Sequence, residues 1–126
     1  MTVYSFNGKE ECKNISELPN ALKQRSKGNS NDFELRTEQE YPFLSILVKG
    51  DLACVHFFEN ESDCGHYAYT NDNELREDFI VFNMGSEEFE TEISKDLVIP
   101  MEQAYIITED FYEKKEMSNK VNWFEL

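Results

Sequence analysis

Cys54-x-His56 and Cys64-x-His66 are the residues whose types and spacing could do chemistry most directly. On strands, positions i and i+2 share a face, so a hairpin could gather the two pairs into a Cys2His2 cage. The usual structural zinc signature, however, uses C-x2-4-C knuckles, and the short loop ENESD between the pairs does not favour tetrahedral closure. The competing reading makes Cys54 a core residue and His56 and His66 ordinary strand residues, and no metal is expected. A Cys–His hydrolase built on the same residues would need an orienting third group and an activated thiolate. The surrounding carboxylates would raise a thiol pKa and oppose that activation.

Those carboxylates are the larger anomaly. Residues 59–92 hold eleven of them against one cation, Arg76, which puts −10 of the chain's −14 net charge into this stretch. Segments 1–58 and 93–126 are close to balanced. Paired acids for glycosyl transfer need one raised-pKa member in an apolar cleft, and none is evident. The run NDNELRED (71–78) lacks the glycine and the ligand spacing of an EF-hand. The five glycines stand singly, so there is no phosphate-binding loop. What remains is a surface for a basic partner, since a field of one sign steers opposite charge. On charge placement alone, the candidate contacts are Glu59, Glu61, Asp63, Asp72, Glu74, Glu77, Asp78, Glu88 and Glu90.

The elements that must position these residues follow from periodicity. Thr2–Phe6 alternates and ends at the turn signal Asn7-Gly8. Asn14 or Ser16 can cap a helix over ISELPNALKQRSK, with Pro19 in its first turn. From Asp32 to Phe58 the chain reads as β structure. FLSILV (43–48) is apolar on both faces, and Lys49-Gly50-Asp51 turns it into LACVHFF (52–58). GHYAYT is a further strand, while FIVFNM and EEFETEI form a hairpin with Phe89, Thr91 and Ile93 on one face. Pro100 suits the first position of a second helix carrying the stripe Met101, Ala104, Tyr105, Thr108, Phe111 and Tyr112. VNWFEL supplies a last strand, in which Trp123 reads as a core plug or a binding anchor. The expected fold is α+β: one domain over 1–126, with a mostly antiparallel sheet of about six to eight strands and two helices packed against it.

No run approaches 18 apolar residues, so no membrane span is expected. The N-terminus has no leader pattern, and three cysteines do not make a disulfide framework, which points to a reducing cytoplasm. At a pI near 4.4 the domain should repel nucleic acid and anionic membranes.

The C-terminal half carries a resemblance. The motifs are FIVFNMG, then EEFE, then Ile99-Pro100 before a helix with Ala104-x6-Phe111, and finally Val121-x-Trp123. In this order they resemble the first-numbered immunity-protein family of bacterial polymorphic toxin systems, often encoded beside deaminase toxins. The resemblance covers about residues 43–126 and is clearest over 79–126. One departure is the link KKEMSNKVNW, where the family usually carries a glycine and a proline. The resemblance implies a cofactor-free, non-enzymatic cytoplasmic antidote, a monomer in a 1:1 complex with a basic cognate toxin domain. That toxin would attack nucleic acid, with a deaminase favoured and a nuclease next. The alternatives are an acidic nucleic-acid mimic that inhibits a DNA-binding protein, and the small Cys/His metal hydrolase.

Overall fold

The computed structural model describes residues 1–70 and 75–125. Its elements are β1 (Thr2–Ser5), β2 (Gly8–Glu11), α1 (Leu18–Leu22), β3 (Ser30–Arg36), β4 (Phe43–Lys49), β5 (Leu52–Phe58) and β6 (His66–Tyr69). They continue with β7 (Phe79–Asn83), β8 (Glu90–Ser94), β9 (Ile99–Pro100), α2 (Met101–Lys114) and β10 (Asn122–Glu125). The main sheet is antiparallel, in the order β10-β6-β5-β4-β3-β1-β2, with β9 pairing β5. The α+β expectation therefore holds. The expectation of a single sheet does not, because β7 and β8 pair only with each other among the described residues.

The separation of that hairpin follows from β4 and β5, which are apolar on both faces. Leu44, Ile46 and Val48 of β4 and Ala53, Val55 and Phe57 of β5 point into the larger core. There they meet Leu18, Ala21 and Leu22 of α1 and Ala104, Ile107 and Phe111 of α2. On the opposite face, Leu47 and Cys54 would stand in water unless something covered them. Phe82 of β7 and Val98 do so, flanked by Ile80, Ile93 and Leu97. Joining the main sheet edge-on would have left this face bare. Burying a side chain such as Phe82, which is fully enclosed, contributes about 1.5–3 kcal/mol.

Other departures from the sequence reading have local causes. The first helix is shorter than predicted, with a 3-10 turn at Ile15–Glu17 and then α1 ending at Leu22. Arg25 leaves the helical path to donate to the carbonyls of Leu22 (2.7 Å), Gln24 (3.0 Å) and Gly50 (3.0 Å), tying the helix end to the β4–β5 turn. Strand β2 carries no buried residue, so no alternation announced it. Pro100 occupies the cap, one residue before the helix, with extended backbone. The buried side of α2 includes Ile107 and Asp110 as well as Met101, Ala104, Thr108 and Phe111 of the predicted stripe, whose Tyr105 and Tyr112 are half-buried at the core margin. Asp110 is held by Ser118 Oγ at 2.6 Å, and Lys120 Nζ lies 3.4 Å away. Strand β8 starts only at Glu90, and Phe89 is exposed in the turn before it instead of facing inward.

The hairpin tip is fastened to the sheet by Asp32, whose carboxylate accepts the Gly85 N–H at 2.8 Å. Its other oxygen is buried with no partner. Burial pushes this carboxyl up to about 6, from 3.8. The folded state therefore keeps a proton that the unfolded chain releases nearer pH 4, and stability falls as pH rises between those values. Asp32→Asn is expected to melt about 3 °C or more above the parent at pH 7 and to lose that advantage at pH 4. A gap independent of pH would exclude the carboxyl as its cause.

Trp123 packs edge-on against Phe57 at 6.2 Å and donates its indole N–H to the Ser118 carbonyl at 2.8 Å. It serves the core from the sheet edge. Trp123→Ala is expected to cost about 3 kcal/mol in denaturant unfolding, and a cost under about 1 kcal/mol would remove it from the core.

Candidate protein-interaction surface

The β5–β6 pairing decides the fate of the cysteines and histidines. His66 is the cross-strand partner of Phe57, and His56 is the partner of Tyr67. Cross-strand partners share a face and neighbours along a strand do not. His56 therefore lies on the hairpin side of the sheet and His66 on the helix side. Cys54 shares the side of His56 but is enclosed by the smaller core, and burial pushes its thiol up to about 12. Cys64 is exposed in the loop before β6. The four residues are not brought together. Among the described residues, no group of three or more His, Cys, Asp and Glu side chains is arranged to hold a metal ion.

His56 instead is an aromatic spacer. Its ring lies 3.9 Å from Phe58 and 4.0 Å from Tyr67, and its Nε2 sits 3.2 Å from the Cys64 carbonyl. Burial lowers its pKa, which favours the neutral ring in the stack. Gly65 makes the close approach possible. It has φ +101°, and a Cβ there would lie 1.9 Å from His56 Nε2.

The carboxylates divide into groups with different roles. Glu59 and Glu61 are exposed on the β5–β6 loop. Asp63 turns inward, accepting the backbone N–H groups of Glu59 (3.0 Å) and Gly65 (2.9 Å). Those two bonds hold its pKa below the ordinary value and make it the staple of the loop. Asp72 and Glu74 lie outside the described residues. Glu77 and Asp78 are exposed at the base of the β7–β8 hairpin, while Glu88 and Glu90 are exposed near its tip.

These groups do not form one field. Glu59 follows Phe58, which pairs with Phe43 at the start of β4. The hairpin tip is bonded to Asp32, which pairs with Leu47 near the other end of β4. Four residues of strand separate the two levels, about 13 Å. The loop of residues 37–42 precedes Phe43 and so adjoins the Glu59–Asp63 loop. It adds exposed Glu38 and Glu40, which charge counting had assigned to a balanced flank.

Pairing also builds a feature that no single segment shows. On the hairpin side, the chain of register partners Tyr4–Glu34–Ser45–His56–Tyr67–Phe124 crosses six strands. Beside it runs Arg36–Phe43–Phe58, with the Arg36 guanidinium 3.7 Å from the Phe43 ring centre and Phe43 stacked on Phe58 at 4.6 Å. The hairpin core covers the Leu47–Cys54 level of this face. Tyr67 packs against the margin of that core and the rest of the rows lies beyond it, with Tyr4 and Phe124 42% and 52% exposed at the two ends.

No helix among the described residues is long and apolar enough to cross a membrane. No family model matches the chain. Along almost its whole length, however, it is similar to a protein of Burkholderia cenocepacia (strain H111) named "Double-stranded DNA deaminase immunity protein". The two are 28% identical over 125 residues, spanning 96% of each chain. The resemblance carried most clearly by motifs in residues 79–126 thus extends along the chain, which resembles a double-stranded DNA deaminase immunity protein.

Proposed function

We propose that this chain is a cytoplasmic immunity protein that binds a nucleic-acid-targeting toxin domain, a deaminase before a nuclease, and blocks its active site. The observation that carries this reading is the end-to-end similarity to a deaminase immunity protein. The charge supports it. A toxin that works on nucleic acid needs a basic cleft to hold phosphates, and a chain of net charge −14 is attracted to such a cleft and not to its substrate. Blocking requires no chemistry of the inhibitor. A Cys54 thiol pushed up to about 12, with His66 on the far side of the sheet, suits that role better than hydrolysis. The complex is 1:1 with a monomer and uses no cofactor.

The test looks for a toxin domain encoded beside this chain's gene and purifies it with and without the chain. Stoichiometric loss of its activity on DNA is the expected result. Undiminished activity would end the reading, and equal binding to several unrelated basic proteins would replace it with a nucleic-acid mimic.

Because Asp63 is engaged in its loop, the steering carboxylates there are Glu59 and Glu61. Reversing both to Lys is expected to slow association roughly tenfold at low salt and to flatten its salt dependence, with little change in dissociation. Stopped-flow rates that match the parent at low ionic strength would move the steering charge away from this loop.

A further inference from the structure

We infer that the toxin docks on the part of the sheet's hairpin side that the described residues leave uncovered, with the aromatic rows as its centre and the loops 37–42 and 59–63 as its acidic rim. This rests on the proposed function and assigns that function a place.

The centre has the composition of a binding hot spot. Tyr4, His56, Phe58, Tyr67 and Phe124, together with Arg36, present rings and a guanidinium on a rigid sheet. Aromatic residues and arginine are the types that carry most interface energy. Their order is already fixed. His56 is held between Phe58 and Tyr67, and Arg36 is set over Phe43 and paired with Glu34 at 3.1 Å. Few rotamers remain to be frozen on binding, which lowers the cost of association. The surroundings complete the pattern of an apolar centre with a polar rim. Glu40 stands at the rim, its carbonyl accepting from Arg36 at 3.2 Å, and Glu59 and Glu61 stand on the next loop, all three exposed, whereas Glu38 turns toward Tyr112 and Lys115 on the α2 side.

At the β1 end, a crevice of about 380 Å³ opens between Tyr4, Glu34 and the hairpin residues Gly85–Glu87. Carboxylates line both of its walls, so it suits an arginine or lysine side chain of the partner.

Charge selects the occupant. An aromatic platform on a sheet could also stack the bases of single-stranded nucleic acid, but such sites pair their rings with cationic grooves. Here the exposed rim is anionic, which opposes phosphate and favours a basic protein. The other exposed apolar side chains, Phe79, Met84, Phe89 and Ile106, are not joined by the sheet register into a comparable row.

The experiment compares Tyr4→Arg and Phe124→Arg with Ile106→Arg, which alters a 38% exposed residue of α2 on the opposite side of the sheet. Each is titrated against the inactivated toxin domain encoded beside this chain's gene, and its melting curve is recorded. The two sheet variants are expected to raise Kd by about tenfold or more with unchanged melting, and Ile106→Arg to bind as the parent does. A reversal of the exposed Glu40 to Lys should slow association at low salt. Parent-like Kd for both sheet variants, weakening by Ile106→Arg alone, or an unchanged on-rate for the loop reversal would overturn the assignment. If the parent chain itself fails to bind the domain, the proposed function falls and this face with it. Binding by the parent with indifferent variants removes only the face.

Discussion

Two adjacent strands, β4 and β5, are apolar on both sides, and the rest of the molecule follows from having to keep water off four surfaces. The helices take one side of the sheet. On the other side, the β7–β8 hairpin takes the level of Leu47 and Cys54, with Tyr67 at its margin. Beyond it the strands exchange aliphatic side chains for aromatic and charged ones that tolerate partial solvation. Among the described residues, the boundary of the hairpin core is therefore also the boundary between the aliphatic and the aromatic, half-buried parts of this face.

Charge is arranged around this frame at some cost. A net charge of −14 on 126 residues repels itself. Distributing the carboxylates between the two ends of the sheet relieves part of that repulsion. Several acids are not available for binding at all. Asp63 satisfies loop amides, Asp110 closes the chain after α2, and Asp32 anchors the hairpin tip with one oxygen left without a partner. A count of acids therefore overstates the number of carboxylates free to pair directly with an outside cation.

The sequence made local features readable and left pairing unread. Apolar runs, turn residues and helical period located β4 and β5, their turn at Gly50, the apolar stripe of α2 and the last strand, because each depends on neighbours within a few residues. The motif order in residues 79–126 pointed to immunity proteins, a resemblance that similarity along 96% of the chain supports. Strand β2 was invisible because it buries nothing. The β7–β8 hairpin was legible as a hairpin, but its detachment from the sheet depends on Leu47 and Cys54, which are far away in sequence. Register was equally hidden: nothing in Cys54-x-His56 or Cys64-x-His66 reveals that Phe57, and not His56, lies opposite His66. The aromatic rows were missed for the same reason, since each strand contributes only one or two of their residues.

That dependence on pairing restricts how the face can diverge. A shift of one residue in any strand would carry its contribution to the helix side and bring a core residue out in its place. Insertions and deletions within the six strands are thus closed as a route to a new surface. Single substitutions along the rows, and changes in the length of the loops 37–42 and 59–65, remain open. Relatives that recognise different partners would then keep strand lengths nearly constant, and their alignment gaps would collect in those two loops.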